Sequence, residues 1–226
     1  MLSELIDWDI IEYNPAHKIK LLPVIDSEAN IPATPEQHKI IKECLETKHP
    51  HFYIYVATIY HCGIRPKEIL DIRLSDIDLV SKRITLKAEH TKTNKKRIVP
   101  INNHLLKLFS TMDVGLYPKD FYLFGSYRTP GAGNKGKFID FIPAPTHIKR
   151  DTATKRWKRI VKDGLGIDVN LYSNKHKGAN DKIIAGIDLD TLRELYGHTS
   201  DLMTMRYAKQ VKEVYRNEII NKSPEY

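Results

Sequence analysis

Cysteine is nearly absent: Cys44 and Cys62 are the two in 226 residues, too few for a disulfide framework or a thiolate zinc cage. No apolar run reaches the roughly 18 residues that a membrane helix needs. The opening Met1-Leu2-Ser3-Glu4-Leu5 is unlike the basic-then-apolar start of a signal peptide. These gaps lead to the expectation of a soluble, intracellular chain in a reducing compartment, with no membrane partner. Internal repeats and low-complexity tracts are missing too, which argues against solenoid and fibrous architectures. Nor do carboxylates cluster in a pattern suited to a two-metal site, so neither a metal nor another cofactor is expected.

Apolar residues make up 41% of the chain, enough for a sizeable core. Lys and Arg number 36 against 28 Asp and Glu, a formal charge of +8, and the surplus is unevenly placed. It falls in Lys82, Arg83, Lys87, Lys92, Lys95, Lys96 and Arg97, then in Lys149, Arg150, Lys155, Arg156, Lys158, Arg159 and Lys162. Clustering of this kind points to a polyanion lying along a central face, because each neutralised phosphate releases counterions.

Residues 2–11 read as the end of a helix, followed by an irregular stretch punctuated by Pro15, Pro23 and Pro32. This predicts a linker with a partner domain upstream. Thr34-Pro35-Glu36 supplies an N-cap and an N1 proline to a helix carrying Ile40, Ile41, Cys44 and Leu45. His51 to Tyr60 is apolar nearly all round, as a buried helix should be. Gly63-Ile64-Arg65-Pro66 breaks it and starts another, leaving Arg65 at a turn beside a helix N-terminus. Alternation in residues 83–87 and 97–101 predicts two strands joined by a basic hairpin connection, Ala88 to Lys96. Phe121 to Phe124 fits a third short strand or a buried turn, and Thr129 to Pro145 reads as a Gly/Pro-rich loop. Ala153, Trp157, Ile160 and Val161 form the apolar stripe of a basic helix over 146–161. Further helices are predicted near 174–185, 188–196, 200–208 and 210–221. The fold class is therefore α+β, mostly α-helical with a small antiparallel β-sheet.

Three segments carry the chemistry. They are Gly63-Ile64-Arg65-Pro66-Lys67-Glu68-Ile69-Leu70-Asp71-Ile72, Lys92-Thr93-Asn94-Lys95-Lys96-Arg97-Ile98-Val99-Pro100-Ile101, and Leu195-Tyr196-Gly197-His198 with Tyr207 nine residues after the histidine. Their order and separation resemble the catalytic domain of the tyrosine recombinase (phage integrase) family, over nearly all of residues 33–220. The resemblance implies a site-specific recombinase that cleaves and rejoins DNA without metal, through a 3′-phosphotyrosine link on Tyr207. It also implies that Arg65 holds nonbridging phosphate oxygens, that Lys92 protonates the departing 5′-oxygen, and that His198 donates to the phosphate. An arginine fork suits two oxygens, and an ammonium, unlike a guanidinium, can give up a proton. Simpler roles stand beside these: a salt bridge from Arg65 to Glu68 or Asp71, a nonspecific phosphate contact for Lys92, a helix C-cap for His198.

The second box departs from the family's His-x-x-Arg. Counting back from Gly186-Ile187-Asp188-Leu189, this chain has Tyr172 for the histidine and Lys175 for the arginine, with His176 next. Lysine keeps the charge but loses the bidentate fork. Lys175 is expected to contact the phosphate, with Tyr172 and His176 as contributors, and Lys95, Lys96, Arg97, Lys155, Arg156 and Arg159 to contact DNA. By resemblance, residues 1–32 are the end of an upstream core-binding domain plus a linker, and 33–226 the catalytic domain, with a tail from about 210. That tail would join a homo-oligomer, a tetramer on double-stranded DNA, with room for accessory DNA-bending proteins in a bacterial cytoplasm. A catalytically silent DNA-binding relative and a type IB-like topoisomerase are the alternatives.

Overall fold

The computed structural model describes residues 2–15, 31–91, 94–128 and 138–197. After a short α1 (Leu2–Asp7), the compact part begins with α2 (Pro35–Lys48). Thr34 caps α2 as its position before Pro35 predicts: the Gln37 amide donates to Thr34 Oγ1 at 3.2 Å, and the Thr34 amide donates to Gln37 Oε1 at 3.0 Å. Ile41 and Leu45 are buried while Ile40 stays exposed, so the apolar stripe is narrower than the sequence suggests.

The central element is α3 (Pro50–Cys62), buried on every side from Phe52 to Ile59. Its Phe52 and Tyr55 rings meet Phe124 and Phe141 edge to face at 4.8–5.3 Å between centroids, an arrangement that adds to the burial of large apolar area. The helix stops at Gly63, whose φ of +61° is strained for any other residue. The chain then enters α4 (Pro66–Leu70), with Arg65 at the N-cap position.

Next come β1 (Ile77–Asp78), β2 (Arg83–Leu86) and β3 (Arg97–Pro100), an antiparallel sheet in that order. Ile84 faces Val99 across the hairpin, and both are fully buried. The two strands thus match the alternation, whereas β1 is too short for any periodicity to announce. After α5 (Asn103–Ser110) there is a second sheet of β4 (Tyr122–Arg128), β5 (Phe138–Ala144) and β6 (Thr146–His147), ordered β5-β4-β6. The expectation of a single sheet is corrected here. Residues 138–144 are a strand inside what reads as a loop, because β5 lies at a sheet edge, where Pro143 costs no ladder bond.

The basic helix α6 (Arg150–Trp157) starts four residues later than its pattern predicts, since Thr146 and His147 are taken up by pairing with β4. It continues into a wider π-helical turn at Lys158–Asp163. Trp157 anchors it, buried, with its indole donating to Val169 O at 2.8 Å. Finally α7 (Ser173–Ile184) lies against α3, and α8 (Leu189–Tyr196) closes over both through Leu192 and Tyr196. A Cβ on Gly178 would fall 2.0 Å from Tyr60 O, so glycine is what allows α7 to approach α3 this closely. The helices expected at 200–208 and 210–221 lie outside the described residues.

Candidate active site

Four elements bring their ends together around one buried carboxylate. Glu68, on the first turn of α4, accepts from Arg65 Nη1 at 2.8 Å and from the Arg65 backbone amide at 3.2 Å. Oε2, the oxygen that accepts from the Arg65 amide, also meets Arg97 Nη2, from β3, at 3.5 Å. The Glu68 side chain is 3% exposed, those of Arg65 and Arg97 18% and 12%, so this is an interior ion network, open to water mainly on the Arg65 side. The salt bridge from Arg65 to Glu68 is therefore real, and it leaves the remainder of the guanidinium fork to face outward.

Arg97, expected on the DNA surface with Lys95 and Lys96, is turned inward instead. Its guanidinium packs over the turn that ends α8, where a Cβ on Gly197 would lie 2.7 Å from Nη1. On the other side of that turn, the ring of Tyr196 is pressed against Gly63, a Cβ there being 2.6 Å from the ring. Close glycine packing at both places thus brings the end of α8, immediately before His198, beside Arg65 and β3.

Lys175 projects from the first turn of α7 into the same interior, with no exposed surface. Among the described residues its Nζ finds no hydrogen-bond partner, and it sits 5.0 Å from the centre of the Tyr196 ring and 5.9 Å from that of Tyr172. Burial first, then the charges of Arg65 and Arg97, bring its pKa down to about 7, against the opposing pull of Glu68. His176, edge-on to Tyr172 at 5.2 Å, is held neutral with a pKa of about 4, chiefly by burial and then by Lys175.

Above this floor lies an open cleft of about 1120 Å³. Arg65 and Tyr172 border it, and so do Arg150, Thr154, Lys158 and Lys162 of α6 and its continuation. Those four positions are spaced by four residues, one face of a helix. That spacing is the signal in the sequence by which Arg150, Lys158 and Lys162 could have been singled out. The basic residues picked from the sequence point elsewhere. Arg156 is bound to Asp140 at 2.6 Å and lies over the Phe141 ring at 5.2 Å, Lys155 faces solvent opposite Asp151, and Arg159 is exposed outside the cleft lining. Lys95 and Lys96 are exposed on the hairpin, whose connection is pinned by Thr91: its Oγ1 donates to Lys95 O at 3.0 Å and accepts from the Lys95 amide at 3.1 Å. Lys92, His198 and Tyr207 lie outside the described residues, as does the tail from about 210. Among the described residues no group of three or more His, Cys, Asp or Glu is placed to hold a metal ion.

The profile of the phage integrase family matches residues 33–213. Among known proteins the chain is similar to the tyrosine recombinase XerA of Saccharolobus solfataricus, 26% identical over 182 residues, which is 80% of this chain and 53% of that protein. It is also similar to XerC of Staphylococcus epidermidis, 26% identical over 174 residues, 73% of this chain and 52% of that one. The chain thus spans about half the length of these curated relatives. Its fold is shared with the crystal structure of XerA recombinase, at a TM-score of 0.64 and 21% identity over 91% of this chain and 68% of that one. The Tn1549 transposon integrase in complex with transposon right end DNA gives a TM-score of 0.64 and 16% identity, covering 98% and 75% of the two chains.

Proposed function

The chain belongs to the phage integrase family, and from that premise we propose that it is a site-specific DNA recombinase acting through a 3′-phosphotyrosine intermediate. The observation that carries this reading is the cluster of Arg65, Arg97 and Lys175 around Glu68 beneath a basic cleft. Attack on a phosphodiester builds negative charge on the nonbridging oxygens, and positioned cations stabilise that charge far better in a dry interior than in water. In this reading the outward side of the Arg65 fork holds two nonbridging oxygens, and Lys175 meets the phosphate from below. Tyr207 Oη forms the bond to phosphorus while the bond to the 5′-oxygen breaks. The phenol proton is released, and the departing oxygen receives its proton from Lys92. His198, directly after the Gly197 turn, donates to the phosphate.

Double-stranded DNA is the proposed partner, held by Arg150, Lys158 and Lys162 along the cleft and by Lys95 and Lys96 of the hairpin. Residues 33–226 would form the catalytic domain and 1–32 the end of a core-binding domain with its linker. Through the tail beyond about 210 the protein would assemble as a tetramer on DNA, with accessory DNA-bending proteins, in the bacterial cytoplasm. Covalent capture tests the reading: the chain is mixed with nicked or supercoiled DNA and excess chelator, denatured, and run beside Tyr207→Phe. A chelator-resistant adduct that disappears in Tyr207→Phe is expected. Tight, salt-sensitive binding to a demonstrated target without any adduct would make the protein a silent DNA-binding relative instead.

A further inference from the structure

Among the described residues, the floor of the site holds more positive charge than its one carboxylate, Glu68, balances. Facing Lys175 are Arg65 and Glu68 from α4, Arg97 from β3, Tyr196 from α8, and Tyr172 and His176 from its own region. Behind them α3 contributes Cys62, whose thiol burial pushes up to about 12 and so keeps neutral, and Lys182 lies over the far side of the cluster against Tyr196. Glu68 is already shared between Arg65 at 2.8 Å and Arg97 at 3.5 Å. Among the described residues three cationic side chains thus meet one carboxylate, in a place where Lys175 has no exposed surface and its Nζ no hydrogen-bond partner.

Guanidinium groups do not release their protons in proteins, whereas an ammonium does. The surplus can therefore be relieved at one atom, Lys175 Nζ. As an ammonium it would bear the cost of a buried charge beside two others of the same sign, eased only by the faces of Tyr196 and Tyr172; as an amine it bears little. We propose that in the absence of DNA the site holds Lys175 as a neutral amine, and that a DNA phosphate entering beside Arg65 recharges it, so that duplex and proton bind together. The phosphate brings the negative charge and acceptor oxygens that Nζ lacks. The amine takes its proton from solvent and becomes an ammonium paired to the phosphate, and no bond in the DNA changes. The downward displacement of the lysine to about 7 has the direction this requires. An arginine at this position, permanently charged, would bind phosphate without proton uptake, so the device belongs to this chain's departure from the family's second box.

The inference rests on the reading of Arg65 and Lys175 as phosphate ligands. Linkage then makes DNA affinity fall as pH rises above neutrality, by up to about tenfold per pH unit for one coupled proton. Calorimetric titration of the Tyr207→Phe chain with a short duplex, in two buffers of different ionisation enthalpy near pH 8, measures the uptake without any covalent step. Uptake approaching one proton per bound chain is expected, and its loss in Lys175→Arg. Equal uptake in both proteins, or none in either, overturns the inference. Should Lys175→Arg not fold, carbon-13 at the lysine Cε positions gives the same answer in the parent chain. Lys182, lowered to about 8, titrates in the same range, so the diagnostic resonance is the one nearest neutrality, which should titrate without DNA and stay in the charged form to about pH 9 with it; the absence of any lysine resonance that DNA recharges in this way would overturn the inference. Covalent capture on the unmodified chain separates the two claims. Adduct without uptake sinks the proton coupling alone, uptake without adduct sinks the recombinase reading alone, and a chain that binds no duplex sinks both.

Discussion

Glu68 shows how much of the site hangs on one atom group. Removing its charge strands two largely buried guanidiniums, and breaking a buried ion pair from one side costs about 3–5 kcal/mol. Glu68→Gln should therefore lower the urea midpoint of the free chain by a corresponding amount, and a bound duplex should recover part of the loss by supplying negative charge. A loss under about 1 kcal/mol would mean that the network is looser than its geometry. Lys175 offers the complementary test. Lys175→Ala removes charge and donor together and should slow cleavage on the order of 100-fold, whereas Lys175→Arg, which restores the charge, should slow it less. Cleavage at the parent rate in Lys175→Ala would remove Lys175 from the phosphate. Arg65 is legible in the sequence, because Gly63 and Pro66 announce the turn around it. The depth of Lys175 and the inward turn of Arg97 are not, since both depend on partners 21 or more positions away, brought close only by packing.

At the scale of elements, the site is set by how α7 seats on α3. Tyr60 is the hinge of that contact: its hydroxyl donates to Asp181 at 2.5 Å, its carbonyl accepts from Lys182 Nζ at 3.0 Å, and Lys177 completes the cluster on Asp181. Gly178 lies under the same carbonyl, so a methyl group there has no room. Gly178→Ala should cost about 1–3 kcal/mol by overpacking, read as a lower melting temperature. Because Lys175 lies on the preceding turn of α7, cleavage below the melting point should also fall while duplex binding through α6 is retained. Unchanged cleavage in a destabilised Gly178→Ala would show that α7 can shift without moving Lys175. The sequence places α3, α7 and α8 within about two residues of their observed bounds and α2 at its observed start, Pro35. It misses β5 and the true start of α6, where pairing with β4 overrides a Gly/Pro-rich local composition.

Across the whole molecule, the basic surplus of the central sequence divides into two kinds of residue. Arg150, Lys158 and Lys162 face the cleft, whereas Arg156 is spent inside the fold on Asp140, whose side chain is 10% exposed. Lys158→Glu should weaken duplex binding and lower the slope of log affinity against log salt by about 1. Arg156→Glu should leave that slope alone and lower stability instead, and equal slopes for the two variants would refute the division. Charge also sets opposing pH trends for the stability of the free fold and for the stabilisation that DNA adds to it. His61 and His176 have pKa values near 4 in the fold, each lowered first by burial, against an ordinary 6.5. Between those limits the unfolded chain binds more protons, so stability falls as pH drops from about 6.5 to 4. Lys175, at about 7 in the fold and 10.5 outside it, acts in the same sense higher up: the unfolded chain again holds the extra proton, so the free fold gains stability as pH rises from about 7 toward 10.5. Lys182, lowered to about 8 by burial, adds to that gain. The duplex-bound state binds the proton that the free fold refuses, so stabilisation by DNA should shrink over that same rise. Scanning calorimetry with and without duplex, between about pH 7 and pH 9, should therefore give curves that converge with pH, and Lys175→Met should remove most of the convergence. Parallel curves in the parent chain would show that the charge of Lys175 does not change when the phosphate arrives.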